Sequence, residues 1–320
     1  MSGTGSASQV PPHRHSSGFR SRPIDPRRES LACTAAETRT VLPSILSQLP
    51  SIQASRSEHL HLDELAPLKA ADCPKYNAST SYKTSIRIVD GDSWNVAIDL
   101  GKEYAGKPAG NGIAMADRVA VLNMASHKNP GGGWLRGAMA QEEALCYRSS
   151  LALSLHRRYY PFRQLTGLYS PDVVVIRGDY ASGHQLYMAD PNVKPEDLPV
   201  CSVLSVAAVC RPKVKMVFNT AANVRELVYA DNATRTLMKG KMRMSLRMAA
   251  ARGHSLLVLG ALGCGAFKNP PREVAQCWLD VLQEAEFAGG WWREIVFAVL
   301  DTHKEGNFDV FTKMLGGTMV

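Results

Sequence analysis

Short apolar segments rich in β-branched residues recur along this chain and alternate with stretches of helical periodicity. Several segments are apolar almost throughout, which is typical of strands covered on both faces of a sheet. Strands that alternate with helices predict a three-layer α/β sandwich. The predicted strands are Ser85–Val89, Val119–Met124, Val173–Arg177, Val203–Val209, Val214–Asn219, Leu256–Ala261 and Glu294–Leu300. The predicted helices that alternate with them are Ser93–Glu103, Gln141–Arg158, Ala222–Arg252 and Pro271–Glu286.

The first part of the chain has a different composition. Residues 1–26 are mostly Ser, Pro, Gly and Arg. They cannot bury enough apolar surface to offset the entropy cost of ordering, so we predict a disordered basic tail. Apolar residues at three- and four-residue spacing from Arg27 to about Leu49 predict a helix in an N-terminal extension over 27–84. Loops are expected over 51–82, and the main domain over 85–320.

Composition narrows the classes of function. The 320 residues include 37 Lys and Arg against 29 Asp and Glu, a formal charge of +8 that favours acidic partners such as phosphates. No apolar run reaches the ~18–20 residues that a membrane span needs, so no membrane partner is expected. Seven cysteines without a C-x-x-C pair suit a reducing compartment. We expect a cytoplasmic or nuclear protein; Pro11, Pro12 and Pro23 disfavour a mitochondrial transit helix.

A glycine triplet follows one of the buried strands. The strand ends at Asn123, and the loop after it runs through Asn129 to Gly131–Gly133. Glycine allows the backbone to approach a bulky group or to take positive φ. Ligands of open α/β sheets bind beyond the carboxyl ends of strands, where this loop begins. A tight loop without a ligand explains the triplet equally well.

Two adjacent acids open the next helix, in the sequence Gln141, Glu142, Glu143. Acidic residues at a helix N-terminus interact favourably with the helix dipole, which explains most such pairs. In a ligand cleft, however, adjacent carboxyls repel, and burial would raise the pKa of one of them, which suits a general acid. The helix N-terminus lowers the pKa, and the sequence leaves open which effect prevails.

A second loop of small residues, Gly260–Asn269, lies between a strand and a helix. This arrangement can present backbone N–H groups to a phosphate. It is neither a P-loop, since no G-K-[ST] follows, nor a dinucleotide fingerprint, which would need a third glycine. Phe267 in this loop would either cover a sugar or base, or pack in the core.

Together these segments resemble a known family. The sequence N-P-G-G-G, seven further residues and Q-E-E resembles the signature of the microbial-type poly(ADP-ribose) glycohydrolases, a catalytic branch of the macrodomain fold. The similarity extends to Arg28–Leu46, Ile88–Leu100, Leu168–Arg177 and Gly260–Asn269. It departs at Met124, where an aromatic residue is common, and at Lys268, where glycine is common.

The resemblance implies a macrodomain-like α/β/α sandwich with a mixed central sheet. It also implies hydrolysis of the ribose–ribose O-glycosidic bonds of poly(ADP-ribose), which releases ADP-ribose from chain ends without a metal or cofactor. Glu143 would be the general acid and base, and Glu142 would hold ribose hydroxyls. The implied substrate-binding residues are Asp92 (toward adenine), Asn123, Asn129, Gly131, Gly132, Gly133, Gln141, Gly263, Cys264, Gly265, Ala266 and Phe267.

Basic side chains recur every four residues on the predicted helix around Asn232–His254. They are Arg235, Lys239, Arg243 and Arg247, opposite an apolar stripe. This pattern indicates either a solvated face or contact with a polyanion such as poly(ADP-ribose).

Three other functions stay open. The chain could be a hydrolase that removes a single ADP-ribose from protein or nucleic acid, or a macrodomain that binds ADP-ribose without cleaving it. It could also bind nucleic acid through the tail and the basic helix. The intact acid pair favours an enzyme over the two binding proteins.

Overall fold

The computed structural model describes residues 1, 3, 25–107, 118–220, 223–302 and 304–320. The described strands are Glu58–His61 (β1), Ser85–Val89 (β2), Ala120–Met124 (β3), Thr166–Val174 (β4), Val200–Val206 (β5), Val214–Asn219 (β6), Val224–Tyr229 (β7), Leu256–Leu259 (β8) and Glu294–Ala298 (β9). The described α-helices are Pro26–Leu46 (α1), Ser93–Tyr104 (α2), Gln141–Arg148 (α3), Leu151–Ser154 (α4), Asn232–Ala251 (α5), Pro271–Leu282 (α6) and Asn307–Leu315 (α7). None of these helices is long and apolar enough to cross a bilayer.

Seven of the described strands form one mixed sheet in the order β1-β4-β5-β3-β8-β9-β2. Strands β5, β3, β8, β9 and β2 are parallel, and β4 is antiparallel to both of its neighbours. Alternate strand residues enter two different cores. Val121 packs with α1, α2 and α3, and Leu122 packs with α5, α6 and α7. The predicted α/β/α sandwich with a mixed sheet is therefore confirmed.

The N-terminal extension packs against the main domain. Thr38 on α1 donates a hydrogen bond to the carbonyl of Tyr147 on α3 (2.7 Å). Gly137, at φ 70°, passes so close to α1 that a Cβ there would collide with the carbonyl of Arg28. Strand β1 lies within 51–82, where loops were expected, and it forms an edge of the central sheet through pairing with β4. The tail predicted over 1–26 lies almost entirely outside the described residues.

Several predicted elements differ in their bounds or position. The strand predicted at Val173–Arg177 overlaps β4 at only two residues. The predicted helix Gln141–Arg158 is interrupted at Ser149, whose backbone is extended (φ −151°) and bridges to Val175. The predicted helix Ala222–Arg252 begins only at Asn232, because its first part is strand β7. Strand β6 pairs with β7 in a separate hairpin and not with the central sheet. These differences reflect tertiary pairing, which overrides local propensity.

The parallel strands place the loops of interest at one edge of the sheet. Asn123 near the end of β3 lies in register with Ser205 near the end of β5. Strand β8, which precedes the second loop, pairs with the other side of β3. The loops after β3, β5 and β8 therefore meet at the carboxyl edge, as expected for a ligand site in an open α/β sheet.

Candidate active site

Two buried carboxyl groups, those of Glu142 and Glu143, form the centre of the site. They lie in the first turn of α3 and are 3% and 8% exposed. Oε2 of Glu142 accepts a hydrogen bond from the backbone N–H of Ser126 (2.7 Å). Oε1 of Glu143 accepts one from the backbone N–H of Gly133 (2.8 Å). The loop after β3 therefore holds both acids through its backbone.

Gln141 fixes the start of α3 against the sheet. Its side-chain oxygen accepts from the N–H of Met124 (2.8 Å), and its amide nitrogen donates to the carbonyl of Leu122 (2.7 Å) and to Ser93 (3.2 Å). The amide is thus engaged by the protein itself. These contacts give Gln141 a role in positioning the acid pair, and the expected substrate contact stays a prediction for this residue.

The glycine triplet allows the loop to approach the acids. Gly131 and Gly132 have φ values of 66° and 60°, in the left-handed region that favours glycine. A Cβ at Gly132 would collide with Oε1 of Glu143, and a Cβ at Gly131 would lie 2.6 Å from Cδ1 of Trp134. Close packing against Glu143 and Trp134 therefore explains why glycine is required here, whether or not the loop also contacts a ligand.

Burial has a larger effect on the pKa of Glu142 than the hydrogen bonds to its carboxylate. Burial raises the pKa of Glu142 from its ordinary value of 4.5 to about 8, and the neighbouring carboxyl of Glu143 acts in the same direction. Hydrogen bonds from Ser126, Asn123 and Gly131 lower the pKa but do not offset burial. Glu142 is therefore mostly protonated at neutral pH.

Asn123 lies beside Glu142 at the end of β3. Its amide nitrogen donates to Ser205 (3.0 Å) and reaches Oε1 of Glu142 at 3.4 Å. Its side-chain oxygen is buried and has no hydrogen-bond partner in the described part of the chain. An unsatisfied buried acceptor costs about 1–3 kcal/mol, so this oxygen is ready to accept from a ligand hydroxyl.

Asn129 has a different place. Its carbonyl accepts from the N–H of Gly132 (3.0 Å), and its side-chain oxygen accepts from Arg157 (3.2 Å) at an exposed position. It therefore shapes the turn before the triplet, and no contact places it on the acid pair. The expected ribose contact stays a prediction for this residue.

Asn269, for which no individual role was predicted, organises the second loop. Its buried amide nitrogen donates to the carbonyls of Val209 (2.7 Å) and Gly263 (3.1 Å), and its oxygen accepts from the hydroxyl of Tyr229 (3.0 Å). Gly263 has φ 78°, and a Cβ there would lie 2.5 Å from that of Ala208. The only sequence signal for these hydrogen bonds was an Asn-Pro pair at the end of the loop, which indicates a turn.

The other residues of this loop divide into buried and exposed. Cys264 packs in the core, and burial raises the pKa of its thiol well above the ordinary range. Its side chain is therefore not available to line a diphosphate, and only its backbone could do so. Gly265 and Ala266 are exposed. Lys268 adopts φ 54°, the left-handed region, which explains why glycine suits this position better.

The two loops contact each other through aromatic rings. The rings of Phe267 and His127 meet edge to face with centroids 5.8 Å apart. Because His127 follows Ser126, this contact places Phe267 beside the loop that holds the acid pair. The sequence carried no signal for this contact.

Asp92 is engaged in a structural network. It caps the N-terminus of α2 by accepting from the N–H groups of Trp94 (2.8 Å) and Asn95 (3.2 Å). The same oxygen pairs with the guanidinium of Arg148, which is 1% exposed. These contacts all use one oxygen of Asp92, and the expected adenine contact stays a prediction for this residue.

The basic stripe on α5 is neutralised within the fold. Each of its four side chains forms an ion pair with an acid on α6 or in the segment after it. The pairs are Arg235 with Glu273 and Asp280, Lys239 with Asp280, Arg243 with Glu284, and Arg247 with Glu286. The prediction of a polyanion contact through these four side chains is corrected accordingly, because their charges hold α5 against α6.

No group of three or more His, Cys, Asp or Glu side chains suited to a metal ion occurs in the described ranges. The carboxyl edge brings together the acid pair, the loop backbone that holds it and a neighbouring aromatic ring. An α/β/α sandwich with this arrangement belongs to the macrodomain class.

Comparison with known proteins agrees with this class. Residues 44–178 match the family model described as the microbial-type PARG catalytic domain, where PARG is poly(ADP-ribose) glycohydrolase. The structure is similar to that of poly(ADP-ribose) glycohydrolase from Thermomonospora curvata, with 27% identity, a TM-score of 0.67 and coverage of 89% of this chain and 99% of that chain. No curated protein matches the chain.

Two ligand-bound structures are also similar. The Thermomonospora curvata enzyme bound to the inhibitor ADP-HPD has 27% identity, a TM-score of 0.65 and the same coverage, 89% and 99%. The Deinococcus radiodurans enzyme in complex with ADP-ribose has 25% identity and a TM-score of 0.60, with coverage of 85% of this chain and 97% of that chain. The resemblance to the microbial-type poly(ADP-ribose) glycohydrolases, predicted from the sequence, is thereby confirmed, and the enzymes of that family are glycosidases.

Proposed function

We propose that this protein hydrolyses ribose–ribose O-glycosidic bonds of poly(ADP-ribose) and releases ADP-ribose, with Glu143 as general acid and base. The observation that carries the proposal is the buried pair of Glu142 and Glu143 held by the glycine loop. The similar bacterial enzymes, one of them bound to ADP-ribose, support the substrate class.

Glu143 is the better placed of the two acids for proton transfer. One of its oxygens accepts from the N–H of Gly133, and the other has no hydrogen bond from the described residues. Glu142 instead uses one oxygen on Ser126 and places the other near Asn123. Glu143 in its protonated form would give its proton to the departing ribose oxygen as the C–O bond breaks, and the resulting carboxylate would then take a proton from the attacking water, which restores the acid.

The remaining groups would position the substrate. A ribose hydroxyl could donate to the unsatisfied oxygen of Asn123, which would remove the cost of that buried acceptor. Protonated Glu142 lowers the negative charge that the diphosphate meets. The backbone of the second loop would face the diphosphate, and Phe267 would cover the distal ribose. A terminal unit of the polymer fits this arrangement, so we propose cleavage from chain ends.

The test compares release of ADP-ribose from poly(ADP-ribose) by the wild type, Glu143→Gln and Glu142→Gln. Loss of a general acid and base lowers kcat by about 10²–10⁴-fold, so Glu143→Gln should lie in that range with its affinity for ADP-ribose retained. Glu142→Gln, which keeps a neutral side chain, should lose much less. A reversed order of the two variants would contradict the assignment of roles.

A mono-ADP-ribosylated protein serves as the second substrate. Release from this substrate but not from the polymer would favour the alternative of a mono-ADP-ribosyl hydrolase. Binding of ADP-ribose without release from either substrate would favour a non-catalytic macrodomain.

A further inference from the structure

Lys241 differs from the other basic residues of α5 because it is buried without a partner. It is 5% exposed, and it makes no ion pair or side-chain hydrogen bond with the described residues. Burial alone lowers the pKa of Lys241 to about 8. Buried charges are normally paired, since an uncompensated ammonium in a protein interior is costly. The missing partner points to an anion from outside the chain.

Lys241 lines a cavity of about 200 Å³. The cavity is also lined by Arg163, Gln164, His127, Ala208 and Cys210. Two cationic side chains are thus present, and no acidic residue contributes to the lining. Pockets for whole small-molecule ligands usually measure ~300–1,000 Å³, so this cavity is sized for a small group such as a phosphate or diphosphate.

The cavity lies next to the acid pair. His127 lines it and directly follows Ser126, whose N–H holds Glu142. On the other side, Ala207 lines it two residues after Ser205, which holds Asn123. The ring of His127 also contacts Phe267. A polymer that places one unit in the acidic cleft can therefore bring its neighbouring unit to this cavity.

We propose that the cavity around Lys241 binds the diphosphate of the ADP-ribose unit adjoining the one released. This subsite rests on the proposed function, and it would give the enzyme a preference for polymer over a single ADP-ribose. Lys241 and Arg163 supply the positive charge, and the small side chains of Ala207 and Ala208 leave room for the phosphate oxygens.

The test measures binding in a Glu143→Gln background, which prevents turnover. Lys241→Met is compared with Lys215→Met, which removes the same charge from an exposed position on β6. The probes are a short oligo(ADP-ribose) of defined length, ADP-ribose and inorganic pyrophosphate. Loss of a charge-assisted hydrogen bond weakens binding by roughly tenfold to a hundredfold. We expect that change in Kd for the oligomer and for pyrophosphate with Lys241→Met, an unchanged Kd for ADP-ribose, and no change with Lys215→Met.

A melting curve of each variant shows whether it is folded, so that a loss of binding can be separated from a loss of structure. Lys241→Met removes an uncompensated buried charge, so its Tm should equal or exceed that of its parent. An unchanged oligomer Kd would overturn the subsite, as would a loss restricted to pyrophosphate, which would indicate a site for a free anion. An equal loss for ADP-ribose would place Lys241 in the main cleft and also overturn it. Failure of the Glu143→Gln parent to bind ADP-ribose would count instead against the proposed function.

Discussion

Replacing Glu142 by glutamine should make the stability of this protein less dependent on pH. Burial raises the pKa of Glu142 from 4.5 to about 8. The folded state therefore binds more protons than the unfolded state between these two values, and the free energy of unfolding of the wild type falls as the pH rises through that window. The stabilising contribution is complete below pH 4.5 and lost above about 8. Glutamine is neutral throughout, so the variant lacks this loss.

The size of the effect follows from the width of the window. Each pH unit changes the free energy of unfolding by at most about 1.4 kcal/mol. Over the interval from 4.5 to about 8, the accumulated difference between variant and wild type approaches about 4 kcal/mol. The introduced amide can still accept the hydrogen bond from Ser126, so little of this difference should be cancelled by lost contacts.

Urea unfolding at pH 5, 6.5 and 8 measures the difference directly. Relative to the wild type, Glu142→Gln should gain about 1 kcal/mol at pH 5 and about 4 kcal/mol at pH 8. Glu196→Gln, at an exposed position, is the matched control and should show no such trend. A difference that stays constant from pH 5 to 8, or a variant that is less stable than the wild type at pH 8, would refute a buried, protonated Glu142.

Two further substitutions test the glycine-containing loops. Gly132→Ala should lower kcat for ADP-ribose release by at least about 100-fold, because its Cβ would collide with Oε1 of Glu143. The control is Gly101→Ala on α2, where a Cβ would make only ordinary contacts. Full activity of Gly132→Ala would contradict the packing described for the triplet. Lys268→Gly should raise stability to urea by about 1 kcal/mol by relieving φ 54°, whereas Lys268→Ala, which keeps a Cβ, should not. Equal effects of these last two variants would show that the backbone is unstrained.

The fold was predictable because its central strands are buried on both faces. Val121 and Leu122 enter opposite cores, so the strand is apolar throughout and has the expected signature. Strand β1 carries no such pattern, because it is an edge strand of only four residues, including two histidines. Strand β7 was assigned to a helix, since only its pairing with β6 makes it a strand. Both misses depend on contacts between distant segments.

The candidate site was predictable at positions where the backbone conformation or a close contact requires a particular residue type, such as glycine. The glycine triplet and the acid pair are contiguous in sequence, and the structure joins them through the N–H of Gly133 and the carboxyl of Glu143. The partners of Gln141 and Cys264 were not predictable, because they depend on which neighbours the sheet brings together. The resemblance assigns both residues to substrate binding, which stays a prediction, and the structure adds that the side chain of Gln141 bonds to the backbone of β3 and that of Cys264 packs in the core.

Asp92 and the acid pair on α3 show why composition and spacing cannot separate structural carboxyls from catalytic ones. Asp92 and Glu142 both accept backbone hydrogen bonds near the start of a helix. Asp92 is paired with the cation of Arg148, so its charge is satisfied within the fold. Glu142 and Glu143 have no cationic partner among the described residues, and burial is accommodated by a proton on Glu142. A carboxyl that neutralises a cation stabilises the fold, whereas a pair that depends on a proton can exchange that proton with a substrate. By this criterion we propose that the acid pair on α3 carries the chemistry.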